Sequence, residues 1–303
     1  MTAAWFYSFQ AYSPPSERVI DSWLYHLGSA NSTRIAEIGA HNTDLVVIDA
    51  YTYVSTPRLY TTQEVSDMRG ANNKLVVAYI SIGEAEDYRP YWDPAWETDP
   101  PDWLAAANPL WPDNYKVKYW DQDWKDIIFA YIDDIVDQGF NGLYLDIVDG
   151  FQFWEEEDPS SGINYRAEMA TFVNQIRSRF TSRLTAIDDQ DREFVIIGQN
   201  GEEMVNTSGY LNAIDGIGKE DLRFYDWDGG FKLVPEDWFT WSKVYLETAK
   251  AAGKHIMVVE YMTTAQQSTW ASTLNDLKAY LDSQGFALYV AQERDLLNIY
   301  EQP

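Results

Sequence analysis

Short apolar runs alternate with helix-period stretches along this chain. The runs are Trp23–Leu27, Asp44–Tyr51, Lys74–Gly83, Leu143–Leu145, Phe194–Asn200, the weaker Ile214–Asp221, His255–Tyr261 and Phe286–Glu293. They are compact and nearly continuously apolar, the pattern of strands buried on both faces of a parallel sheet. Between them lie helical stretches. Thr33–Ala40 carries Ile35 and Ile38. Thr62–Asn72 opens with a Thr61 or Thr62 cap and Glu64 nearby, and Trp124–Gln138 carries Ile127, Ile128, Tyr131 and Ile135 at helical period with Gly139 as its stop. Asn164–Leu184 is long and amphipathic, Pro235–Ala252 has Pro at its start and Gly253 at its end, and Thr264–Ser283 is closed by Gly285. Eight strands alternating with helices predict a parallel sheet with helices outside, and the count predicts closure into a single (β/α)8 TIM barrel. A doubly wound open sheet is the alternative. It would usually announce a nucleotide through a Gly-rich turn, and no G-x-G-x-x-G or P-loop occurs.

Three stretches fall outside this alternation. Residues 1–21 form an N-terminal extension, in which aromatic Trp5–Tyr12 reads as an extra strand and Ser13-Pro14-Pro15-Ser16 as a breaker. Residues 88–122, after the third strand, hold six prolines (Pro90, Pro94, Pro100, Pro101, Pro109, Pro112) and Trp92, Trp96, Trp103, Trp111 and Trp120. A loop this long inside a compact domain is usually functional. Residues 152–161 read as an acidic loop. No repeat or low-complexity linker divides residues 1–303, so a single domain is expected.

Composition narrows the partners. No run of about 18 apolar residues occurs, so no membrane span is expected. The opening Met-Thr-Ala-Ala-Trp has no charged n-region or long apolar h-region. An extracellular or cell-envelope location is expected, with any signal peptide absent from this chain. Cys is absent, which excludes disulfides and thiolate metal sites. The net charge of -26 repels nucleic acid and anionic membranes and attracts cationic ligands, although surplus acid is also a solubility device. Aromatics make up 16% of the chain, and several lie in loop-like sequence where rings stack on sugar faces.

The chemistry gathers where the apolar runs end. There stand His26, Asp49, Glu84, Asp146, Gln199 with Asn200, Glu202 and Glu203, Lys219 with Glu220 and Asp221, Glu260 beside Tyr261, and Glu293. An Asp after a strand often only caps the next helix, but Glu is a poor N-cap, and repetition over most of eight strands predicts one acidic mouth. An acidic mouth among aromatics fits glycoside hydrolysis, which needs two carboxyl groups flanking the scissile bond. Asp146 and Glu203, after adjacent strands four and five, are the candidate pair. Asp49, Glu84, Asp149, Asn200, Glu202, Lys219, Glu220, Glu260 and Tyr261 are candidates for binding substrate or orienting that pair, and Trp92, Trp120 and Trp154 are candidate sugar platforms. With three His and no H-E-x-x-H array, no metal ligands or cofactor are assigned, and no G-x-S-x-G elbow appears. Clustered Asp and Glu leave a Mg²⁺-dependent barrel as one alternative. A barrel that only binds polysaccharide is another.

Three segments carry a resemblance. Tyr79-Ile-Ser-Ile-Gly-Glu84-Ala-Glu-Asp-Tyr-Arg89, Gly142-Leu-Tyr-Leu-Asp146-Ile-Val-Asp149-Gly-Phe and Gln199-Asn-Gly-Glu-Glu203 resemble glycoside hydrolase family 114 and its bacterial and archaeal glycosidase relatives, a group that includes endo-α-1,4-polygalactosaminidases. The resemblance covers about residues 22–295, and its most specific part is the Asp-x-x-Asp-Gly-aromatic block. It implies a (β/α)8 barrel, Asp146 as the catalytic acid of strand four, a retaining endo-glycosidase with Glu203 as general acid/base, and a polysaccharide or oligosaccharide substrate, in part of the family a galactosamine polymer. A monomer is expected. Ile147 stands where the family block often has Asn.

Overall fold

The computed structural model describes residues 18–53, 56–226, 230–300 and 302. Trp5–Tyr12 and Ser13–Ser16 lie outside them. The eight apolar runs form one sheet of β1 (Trp23–His26), β2 (Leu45–Asp49), β3 (Leu75–Ser81), β4 (Gly142–Asp146), β5 (Val195–Gln199), β6 (Gly216–Glu220), β7 (His255–Tyr261) and β8 (Ala287–Ala291), in that spatial order. Every neighbouring pair is parallel. The last gap narrows where Leu27 and Gly28 N–H donate to the Leu296 carbonyl at 2.9 and 3.3 Å. The molecule is a TIM barrel.

The helices follow from local chemistry. In α1 (Ser32–Ala40) Ile35 and Ile38 are buried. In α2 (Thr62–Arg69) the Thr61 hydroxyl and the Glu64 carboxylate close a capping box, satisfying two orphan N–H groups at once. Asp121 caps α3 (Gln122–Gln138), and Gly139 ends it in the left-handed region at φ 93°. Next come α4 (Gly150–Glu157), α5 (Tyr165–Ala186), α6 (Tyr210–Ala213), α7 (Glu236–Ala251), α8 (Thr264–Thr269) and α9 (Ala271–Gln284). Among the described residues, no helix is long and apolar enough to cross a membrane.

Aromatic rings fill the cylinder where many barrels use aliphatic layers. Trp23 lies 5.6 Å from Tyr25, 6.2 Å from Tyr144 and 6.0 Å from Tyr289, and Tyr25 lies 5.0 Å from Tyr144, ring centre to ring centre. That filling explains the weak sixth run. A Cβ on Gly218 would stand 2.0 Å from the Tyr144 hydroxyl, so the strand gives up its own side chain to admit the ring.

Several expectations are corrected in detail. Residues 152–161 are largely helical, because Phe151 and Trp154 bury one face of α4 while its glutamates face outward. The long segment after β3 is not an irregular loop. Glu84–Glu86, Asn114–Val117 and Leu104–Ala107 pair into a three-stranded antiparallel sheet, with a 3₁₀ turn at Pro94–Glu97. Thr264–Ser283 breaks at Trp270, whose ring packs on Phe224 and Phe231 at 6.1 Å each, separating α8 from α9.

Candidate active site

A cleft of about 810 Å³ opens at the C-terminal mouth of the barrel, and Asp146 and Glu220 both face into it. The parallel register sets their places. Ser81 lies beside Asp146, Gln199 beside Gly218, and Glu220 beside Val259, so the ends of β4 and β6 flank the end of β5.

Asp146 is held from two sides. The Tyr79 hydroxyl donates to Oδ2 at 2.5 Å and the Ile147 backbone N–H donates to Oδ1 at 2.8 Å. The second bond requires the chain to turn sharply, and Ile147 adopts φ 58°. A β-branched residue is strained in that region whereas Asn tolerates it, which accounts for the Asn that often stands there in the family block. Burial, followed by the charge of Glu220, pushes the Asp146 carboxyl well above its ordinary value, against the opposing pull of the Tyr79 and Ile147 hydrogen bonds. Tyr79 itself is pushed up by burial and then by Asp146, so it stays a donor.

Glu220 accepts from three side chains: Gln199 Nε2 at 2.7 Å, Asn200 Nδ2 at 3.0 Å and the Tyr261 hydroxyl at 2.5 Å. Asn200, in the left-handed region at φ 54°, also accepts the Glu220 backbone N–H at 3.1 Å. Gln199 is fixed from beneath by the Tyr25 hydroxyl at 2.8 Å. The acids thus rest on the same rings that fill the barrel.

The remaining predicted residues divide into three groups. Asp49, Glu84, Asp149, Asn200 and Tyr261 line the cleft. Of these, Asp49 is gripped by Arg89 at 2.8 Å, which also holds Glu86 at 2.6 Å, and Glu84 pairs with Lys116 at 2.5 Å and accepts from Asn108 at 2.9 Å. Asp149 occupies the N-cap position of α4 but makes no capping hydrogen bond, leaving its carboxylate turned to the cleft. Burial raises Asp149 to about 6, with Lys219 and Lys116 pulling down and Glu202 and Glu203 pushing up.

A second group lies behind the wall. Lys219 pairs with Glu202 at 3.2 Å, and Glu202 also accepts the Ser242 hydroxyl from α7. Glu203 is not among the residues that line the cleft. Gly201, left-handed at φ 56°, starts a 3₁₀ turn over Glu202–Asn206 that carries Glu203 away, to accept from Gln152 at 2.8 Å and face Arg166 at 3.9 Å. Glu260 is buried and accepts the backbone N–H groups of Arg223 (2.7 Å) and Phe224 (3.1 Å), fixing the loop after β6.

The three tryptophans form the last group, and none lines the cleft. Trp92 packs on Trp96 and Tyr115, Trp154 donates its indole N–H to the Val117 carbonyl at 2.9 Å, and Trp120 sits between Trp154 and Tyr165. Tyr53, Tyr88, Trp111 and Phe153 line it instead. Trp111 was visible only as one of five tryptophans in the long segment. Tyr79 was hidden inside an apolar run. Among the described residues, no group of three or more His, Asp or Glu is arranged to hold a metal ion.

Comparison with known proteins gives the family and the fold. The family model described as Glycoside-hydrolase family GH114 matches residues 7–302. An uncharacterized protein of Methanocaldococcus jannaschii is 36% identical over 287 residues, covering 92% of this chain and 78% of that protein. One from Thermotoga maritima is 36% identical, covering 82% of this chain and 73% of its own length. Among solved structures, the glycoside hydrolase domain of PelA from Pseudomonas aeruginosa is similar in fold, with TM-score 0.68 at 21% identity, covering 92% of this chain and 97% of that one. Aspergillus fumigatus Ega3, solved in complex with galactosamine, gives TM-score 0.65 at 15% identity, covering 95% and 97%.

The buried Glu260 yields a pH prediction. Burial, followed by Asp221, pushes it from 4.5 up to about 8, so the folded protein keeps a proton that the unfolded chain has released. Stability from this group is complete below the unfolded value and is lost as pH rises through about 8. The melting temperature is expected to fall between about pH 5 and 9, and to fall less steeply in Glu260→Gln. Circular dichroism melts across that range test this, and equal slopes would contradict it.

Proposed function

The chain belongs to glycoside hydrolase family GH114, and from that premise we propose that it is a retaining endo-glycosidase of an amino-sugar polymer, with Asp146 as nucleophile and Glu220 as general acid/base. The observation that carries the choice of pair is the charge coupling of two cleft-facing carboxyls, each fixed by a tyrosine hydroxyl at 2.5 Å. Glu203, the strand-five candidate, has its carboxylate engaged with Gln152 outside that pair.

Before substrate arrives, burial and the neighbouring charge favour the neutral Asp146. A sugar ammonium and the positive charge that develops at the anomeric carbon favour the Asp146 anion, whose proton leaves to solvent. Glu220 then protonates the leaving oxygen as the Asp146 carboxylate bonds to the anomeric carbon. In the second half, Glu220 takes a proton from water, and that water displaces Asp146. The Ile147 N–H and Tyr79 hydroxyl hold the nucleophile at one attack angle throughout.

The substrate class follows from the cleft's acid. Asp149 lines the cleft and makes no capping hydrogen bond. It suits an ammonium or hydroxyl partner. An open cleft with Tyr88 and Trp111 at its exposed rim suits internal attack on a long chain.

Two outcomes are expected. Asp146→Asn and Glu220→Gln each lower kcat by about a thousandfold or more, while Glu203→Gln loses less than about tenfold, because its part-exposed contact is worth about 1 kcal/mol. Turnover of amino-sugar polymers by the purified variants, with the anomer of the first product read by NMR, measures this. An inactive Glu203→Gln beside an active Glu220→Gln, or an inverted first product, would contradict it. Asp149→Asn is expected to raise KM for a deacetylated polymer more than for its N-acetylated form, with the wild-type kcat/KM falling as salt is added. Equal effects on both polymers would remove Asp149 from ammonium recognition.

A further inference from the structure

The outer face of α7 carries a second aromatic site away from the cleft. Trp238, Trp241 and Val244 are 63%, 44% and 55% exposed, an unusual concentration of large apolar side chains on one helix face. Trp241 and Tyr245, one turn apart, meet edge to face with ring centres 4.8 Å apart. Together with Asn206, Thr240, Val244 and the carboxylates Glu236 and Asp237, they line an open hollow.

We propose that this hollow is a second, non-catalytic binding site for the amino-sugar polymer. The choice of occupant rests on three features. First, the hollow combines aromatic rings with an amide and the Asp237 carboxylate, while the Glu236 carboxylate is paired with Arg223 at 2.9 Å. The neighbouring Lys243 is turned to the other side of α7, over Phe239 and Tyr280. Rings stack on the apolar faces of sugars, and carboxylates take ammonium and hydroxyl groups. Second, Trp241 and Tyr245 line the hollow and the exposed Trp238, outside its lining, stands one turn before Trp241, so the three at i, i+3 and i+7 make a stripe about 10 Å long, the reach of a disaccharide.

Third, the hollow reaches the turn that follows β5, because Asn206 of that turn lines it. In the same turn Glu203 faces Arg166 at 3.9 Å and accepts from Gln152, a residue of the cleft itself. From α7, Ser242 bonds to Glu202, the partner of Lys219, which precedes Glu220. A chain leaving the cleft past Gln152 and Glu203 therefore runs onto α7. Holding the polymer there keeps it on the enzyme between cuts, an effective-concentration gain that needs no new contact in the cleft.

This inference rests on the polymer substrate proposed above, and its test separates the two. The probes are a soluble, deacetylated α-1,4-galactosaminan, chitosan and a galactosamine trisaccharide. Wild type, Trp241→Ala/Tyr245→Ala and Trp241→Phe are compared by gel retardation in each polymer and by turnover of polymer and trisaccharide. In the double variant, retardation is expected to weaken and the polymer-to-trisaccharide ratio of kcat/KM to fall about tenfold, with Trp241→Phe keeping most of both. Unchanged retardation and an unchanged ratio would overturn the proposal. So would a double variant that changes only its sedimentation, from dimer to monomer, which assigns the face to a second copy of the chain. Retardation by a polymer that the enzyme does not cut, lost in the double variant, supports the second site while removing the reading of the cleft.

Discussion

Asp146 and Glu220 line one partly buried cleft from strands on either side of β5, and the rest of the structure answers that constraint. Burial, and after it the charge of Glu220, raises the Asp146 carboxyl above its ordinary value. The fold supplies donors from fixed elements: Tyr79 from β3, the Ile147 N–H from the elbow after β4, Gln199 and Asn200 from the end of β5, and Tyr261 from β7. Strands β3, β4, β5 and β7 supply these donors, and β6 between the last two carries Glu220 itself. Beneath them the Tyr25 hydroxyl bonds to Gln199, so the ring packing of the barrel interior sets the position of Glu220. Core and site are one assembly in this protein, and the strain at Ile147 is part of what holds it.

The surplus acid divides between duties. On the outside, Arg179 and Arg183 of α5 pair with Asp133 and Asp137 of α3, stitching neighbouring helices through exposed contacts of small individual worth. In the cleft wall, acids are matched to bases in shielded pairs, Asp49 and Glu86 to Arg89 and Glu84 to Lys116, which build shape. Asp146, Asp149 and Glu220 line the same cleft. The net charge of -26 therefore says little about function by itself, while the placement of three carboxyls says much.

Most of the fold is legible in the sequence, because strands buried on both faces write themselves as unbroken apolar runs and the helices between them carry ordinary caps. The site is only half legible. Asp146 ends a clear run, so its place at the mouth follows directly. Glu202, Glu203 and Glu220 all follow strands, and nothing in their spacing says which one turns inward. That depends on the left-handed Gly201, which throws Glu203 aside, and on the parallel register that sets Glu220 beside Val259. Strand six reads weakly for the reason it matters: Gly218 yields its side-chain space to Tyr144. The tryptophans of the long segment mark it as unusual, but which of them are core is fixed by the three-stranded sheet they pack against, a long-range pairing that local sequence does not encode. The acidic stretch of α4 hides a helix because Phe151 and Trp154 carry its buried face between polar neighbours.

The central claim is that Glu220, and no other carboxyl, moves the proton while Asp146 bonds to the sugar. Chemical rescue tests it most directly. The Glu220→Gln protein is given an amino-sugar glycoside with an activated leaving group, with and without azide. Azide is expected to restore turnover and to form a glycosyl azide of the substrate's own anomeric configuration, while the wild-type protein forms none. No rescue in Glu220→Gln, together with rescue of that kind in Glu203→Gln, would contradict the account.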